Sequence, residues 1–360
     1  MKNIPNLFFL VLLLSGCGPD PIKRASEDPW STKHESIRTP NEMVKPIYTP
    51  MVVHGETVRE RALSILEQAI ESKNSRMRAN AIESFRFADQ IKLSKIIRMG
   101  LVDSNRGVRF AAAMMVGETK LCDYSILLEP MLDDESASVQ AAALCSLYRC
   151  GQKVNLNPIA TMLESDDPEL RGNAAMILGE MGNPSAVGLI KHALQTPSPT
   201  ISPIRRRVIN LQIAEALVKL GELSELEVIR AAIFTSAEEA EITALACQIA
   251  GRIKDSEILS TLESIVATPN RYPDEIRLIA ASAIASINPQ RVPLEIVLGF
   301  TSSEIAILRV QSAITLGIEG SQVNLGPLAL MLDDFDPFVQ IAAAGAVLRI
   351  DNSDSIAIMH

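Results

Sequence analysis

The residues able to do chemistry are few and scattered. The four histidines, His34, His54, His192 and His360, share no ligand spacing. The chain carries no His-Glu-x-x-His, no paired Cys-x-x-Cys, no Walker loop and no Gly-x-Ser-x-Gly. Asp103-Ser104-Asn105-Arg106-Gly107 approaches a calcium loop, but its glycine comes one position early and no glutamate closes it. Asp133-Asp134-Glu135, Ser165-Asp166-Asp167 and Asp333-Asp334 are acidic in the same way and read as solvated helix caps. No catalytic residue, no cofactor and no metal is therefore expected.

Two groups of charges could still recognise a partner. Glu118, Arg149, Glu180 and Arg349 recur at one position of successive repeats, and a column of that kind would border a groove or be a solvated helix face. Its mixed sign argues against a track for a singly charged ligand. Arg205-Arg206-Arg207 opens a helix, where cations gain nothing from the helix dipole, so the cluster suits an acidic partner or lipid phosphate as well as plain solvation. Among the cysteines, Cys145 and Cys247 sit among alanines on second helices and read as small core residues. Cys122 and Cys150 close adjacent repeats and are near enough in pattern for a bridge, a pairing the sequence leaves open.

The elements that must position these residues form a repeat. Second-helix anchors fall at Arg78, Arg109, Gln140, Arg171, Asn210, Thr243, Arg277, Arg309 and Gln340, half of the steps being 31 residues and the rest 32–39. A period of that length marks a solenoid, in which each helix pair buries its apolar face against its neighbours. The longer steps carry Thr196–Pro203 and Thr268–Pro273, additions between the first and second helix of a pair. Thr57…Glu60, Ser224…Glu227 and Ser236…Glu239 are capping boxes. Asp167-Pro168 and Asp336-Pro337 start helices, and Gly117, Gly151, Gly182, Gly221, Gly251 and Gly320 are expected to end them. Aromatics make up only 4% of the chain, so the core must be built from small and aliphatic side chains. A net charge of -9 argues against nucleic acid as a general partner.

The first residues read as an address. Lys2 is followed by the apolar run Leu7–Leu14, too short for a bilayer of ~30 Å. Leu14-Ser15-Gly16-Cys17 resembles the bacterial lipobox. The resemblance implies that residues 1–16 are a signal peptide and that Cys17 is acylated; with Gly18 next, the outer membrane is favoured if the cell is Gram-negative. Two or more acyl chains anchor stably where one does not. Residues 17–56, rich in proline and charge, are expected to be a disordered tether with a reach of roughly 35 Å. Residues 57–350 are the folded part and 351–360 a tail.

Met162–Gly179, with Asp167-Pro168-Glu169-Leu170-Arg171 at its centre, is similar to HEAT repeats, in particular the short phycobilisome-lyase-like type. This resemblance implies an all-α, right-handed solenoid of about nine helix pairs. Stacked in a line with helices 8–10 Å apart, it would extend on the order of 80–90 Å. It further implies a non-catalytic scaffold that offers its concave second-helix face to another protein in the bacterial envelope. Three other functions come from the same resemblance. A bilin-lyase-like enzyme is opposed by the export signal. An alkyl-base glycosylase would need the basic, aromatic groove this composition lacks. A structural part of envelope assembly stays open.

Overall fold

The computed structural model describes residues 57–195, 201–235 and 239–357. Cys17, the signal peptide, the tether and Ser236 lie outside the described residues. Within them the chain is helical, with no strand. The helices are α1 (Val58–Ile70), α2 (Ser75–Ser84), α3 (Gln90–Leu101), α4 (Arg106–Glu118), α5 (Ala137–Arg149), α6 (Asn157–Leu163), α7 (Pro168–Met181), α8 (Val187–Gln195) and α9 (Pro203–Lys219). There follow α10 (Leu226–Ala232), α11 (Ala240–Ile253), α12 (Leu259–Val266), α13 (Asp274–Ile287), α14 (Leu294–Gly299), α15 (Ala306–Glu319), α16 (Leu325–Met331) and α17 (Pro337–Ala357). The last helix runs past residue 350, where a tail was expected.

Local chemistry sets the boundaries. Thr57 and Glu60 form the expected capping box at α1, and Asp167 accepts from the Glu169 N–H with Pro168 at the first helical position. Ser224 makes no cap, because it lies inside the 3-10 turn Leu223–Glu225 that precedes α10. One first helix is replaced by a 3-10 run, Cys122–Asp133. Pro130 within it has no N–H to give, and its ring crowds the preceding turn of an α-helix. Gly182 and Gly320 end their helices at φ 67° and 84°. Gly117 and Gly251, expected as stops, sit inside α4 and α11 instead. A Cβ on Gly117 would stand 2.7 Å from the Ser146 Cα, and one on Gly251 2.9 Å from the Ala283 Cα. There the missing side chain lets the next second helix approach.

Three arginine anchors, Arg78, Arg109 and Arg309, tie their own pair to the next in the same way. Arg109 donates to Asp134 from Nε and Nη2 at 2.7 and 2.9 Å, and to the Asp103 carbonyl from Nη1 at 2.9 Å. Arg78–Asp103 and Arg309–Asp334 repeat the arrangement. The side chain thus pins its own turn and the turn of the following pair. Gln140 and Gln340 keep only the inner half, each donating at 2.6 Å to a carbonyl six residues back. The ladder is therefore interrupted.

The second helices α2, α4, α5, α7, α9, α11, α13, α15 and α17 pack in succession, and α17 then packs against α1 and α2. The ends meet, so the stack is a closed ring and not an extended rod. Arg59 pairs with Asp351 at 2.6 Å, Arg61 pairs with Asp333, and the Arg349 guanidinium lies 5.6 Å from the Phe87 ring centre. Curvature has a visible source: the second helices are rich in Ala, Gly and Ser and touch backbone to backbone, which makes each repeat a wedge.

Candidate functional site

The charged column expected along the second helices exists, but it does not face solvent. Arg86, from the 3-10 turn Phe85–Phe87 after α2, pairs with Glu118 at the end of α4; their side chains are 8% and 1% exposed. On α5, Arg149 donates to both the carboxylate and the carbonyl of Glu180 on α7. Lys219 at the end of α9 bridges Glu180 at 2.6 Å and Glu215 at 2.8 Å. Arg252 on α11 then clamps Glu215 with two bonds of 2.7 and 2.6 Å. Glu118 and Arg149 couple through space. The result is an alternating string of buried charge along the inner helices from the first pair to α11.

Lys219 and Arg252 were not singled out from the sequence, although they stand nine residues after the anchors Asn210 and Thr243, the spacing shared by Glu118, Arg149, Glu180 and Arg349. Glu215 lies off that column and carries no periodic signal. The column ends in the uncharged Ser286 and Ile318, on α13 and α15, before Arg349. Arg349 lies over Phe87, where burial and then Arg86 lower its pKa to about 10.

Burial and neighbours act against each other along the string. Burial raises Glu118 to about 7, although Arg86 and Arg149 pull it down. At Glu215 burial also pushes upward, but Arg252 and Lys219 outweigh it and hold the group at about 2. Burial would lower Lys219, yet Glu215 and Glu180 keep it above its ordinary value. Charges spent on one another in this way do not border a binding groove; they fasten helix to helix.

The remaining candidates are also engaged. Arg205 donates to Glu241 at 3.1 Å, Arg207 pairs with Glu239, and Arg206 donates to the Ile201 carbonyl. Asp103 is taken up by Arg78, and the described residues hold no group of three or more His, Cys, Asp or Glu suited to a metal. Cys145 and Cys247 are buried, and burial pushes each thiol up to about 12, far from a thiolate nucleophile. Cys122 and Cys150 form a disulfide with their Cα atoms 5.3 Å apart. A notch between α15 and α17, lined by Ile314, Gly317, Ile318, Ala342, Ala346 and Arg349, admits no more than a water-sized guest.

Apolar surface stays open on the first helices, as at Ile91 and Leu330, and at the turns between first and second helices. Val102, Phe234, Ile305 and Phe335 are exposed there, Phe335 by 85% and stacked on Arg309 at 4.5 Å. The family model for HEAT repeats matches residues 156–233, which span α6 to α10. No curated protein matches the chain.

Proposed function

We propose that this protein is a non-catalytic scaffold of the bacterial envelope, a HEAT-type ring held at a membrane by lipid on Cys17, which binds another protein along the rim of its inter-helix turns. HEAT repeats commonly mediate protein–protein interaction, and the match over residues 156–233 is the observation that carries the reading. The inner face, the usual choice for a partner, is filled by its own ion pairs, so the rim is the better candidate. Exposed Phe335 and Ile305, on adjacent pairs, supply the apolar anchors an interface needs. The Cys122–Cys150 bridge supports export, because disulfides persist in oxidising compartments. Leu14-Ser15-Gly16-Cys17 supports the lipid anchor.

Two variants test the two halves. Cys17→Ser should move the protein from the membrane to the soluble fraction with unchanged helical circular dichroism; unchanged membrane association refutes the anchor. Phe335→Asp combined with Ile305→Asp should abolish recovery of a stoichiometric protein from detergent extracts. Equal recovery by both forms, or a bound pigment in the purified protein, refutes the rim-binding scaffold.

A further inference from the structure

The string of inner charges contains one place where the pairing does not close. Glu83, on α2, is buried to 2% exposure, and its Oε1 has no hydrogen-bond partner. Glu118 Oε1 is equally buried and unpartnered, as is Asn80 Oδ1, three residues before Glu83 on the same helix face. All three atoms are acceptors, and α2 packs directly on α4. Two carboxylates facing one guanidinium, Arg86, with an oxygen left over on each, lack a donor. A proton on one of the two carboxyls would supply it.

We propose that Glu83 and Glu118 share one proton in the closed ring, and that this proton is a pH-sensitive latch on the ring's seam. The surroundings favour it. Burial raises Glu83 well above the carboxylate range, against the pull of Arg86, and the Glu118 charge raises it further. Glu118 itself faces Arg86, Arg149, Glu180 and Lys219, and burial still dominates. Beyond Arg86 stands Arg349, on α17, the other side of the seam. When the pair ionises, the proton leaves to solvent and a second negative charge stays buried with Arg86 between the two carboxylates. Arg86 adjoins Phe87, on which Arg349 rests. A shift of Arg86 toward Glu83 therefore disturbs the contact that joins the first pair to the last. The ring is latched when the proton is present and loosened when it is lost.

The test uses the full chain. Infrared difference spectra near neutral pH should contain the C=O band of a buried protonated carboxyl, absent when Glu83→Gln and Glu118→Gln are combined. Hydrogen-exchange protection of α1 and α17, corrected for intrinsic rate, should fall about tenfold or more between about pH 6 and about pH 9. In that double variant, which keeps neither carboxyl of the pair, that fall should vanish. Should the double variant not fold, Glu83→Gln alone serves instead: its amide gives Glu118 Oε1 a donor and removes the shared proton, so the fall should be displaced by at least about one pH unit. The proposal is overturned by a wild-type spectrum without the band, by seam protection that is flat with pH, or by variants that follow the wild-type curve.

Discussion

Glu215 is a carboxylate that burial alone would protonate and that two cations hold ionised at about 2. Its folded value is depressed, so the stability it contributes is present above the unfolded value near 4.3 and is lost as pH falls toward 2. A shift of that size is worth about 3 kcal/mol. Glu215→Gln should remove the acid-side loss between about pH 4.5 and about pH 2, and urea midpoints measured across that window would show it. A wild-type and variant that lose stability in parallel would mean the Arg252–Glu215–Lys219 clamp is open in solution. The rungs outside the string behave alike. At Asp134 burial raises the carboxyl, but the bonds from Arg109 and the Ser136 N–H bring it below its ordinary value. Asp134→Ala leaves the buried Arg109 only the exposed Glu135, 3.1 Å from Nη2, and should cost about 3 kcal/mol, whereas Asp333→Ala at an exposed pair should cost about 1 kcal/mol or less. Chemical denaturation separates the two.

Helix by helix, most of the architecture was legible, because a 31-residue recurrence and proline-marked starts are properties of sequence alone. Glycine was legible only in part. Gly182 and Gly320 stop helices through positive φ, while Gly117, Gly251 and Gly317 serve close helix contact, and a sequence does not say which neighbour lies across a glycine. Gly317→Ala places a methyl 2.6 Å from Ala346 Cβ and 2.7 Å from its Cα, so α15 and α17 must part. The expected cost is about 1–3 kcal/mol. Gly188, in α8, has nothing within 4 Å of the same position, and Gly188→Ala should stabilise by about 0.5–1 kcal/mol through helix propensity. Opposite signs in thermal midpoint would confirm that packing, not propensity, decides at Gly317. The 3-10 run Cys122–Asp133 is held at one end by the Cys150 disulfide. Cys150→Ser should cost about 2–4 kcal/mol, and thiol titration of the denatured protein should count two further thiols only after reduction.

At the scale of the whole molecule the sequence was least informative, and the reason is physical. Curvature accumulates from small rotations at every interface, set by how closely small residues allow backbones to approach, and no single motif records their total. Arg59 and Asp351 meet across 292 positions with no periodic signal to announce it. The same closure hid the fate of the charged column, since on an open rod Glu118, Arg149 and Glu180 would flank a groove. Closure has a thermodynamic consequence. An open solenoid frays from its terminal repeats, each of which has one neighbour, whereas a ring gives every repeat two. Arg59→Asp combined with Arg61→Asp sets two like-charge pairs against Asp351 and Asp333 at the seam and touches none of the inner string. The variant should keep its helical content, show a larger radius of gyration by small-angle scattering, and exchange amide protons fastest in α1, α2 and α17. Each reversed pair replaces an attraction of up to about 1 kcal/mol by a repulsion of similar size, enough to populate open forms when the seam is the weakest interface. A variant with unchanged scattering and uniform exchange would show that apolar packing between α1 and α17 closes the ring without help from charge.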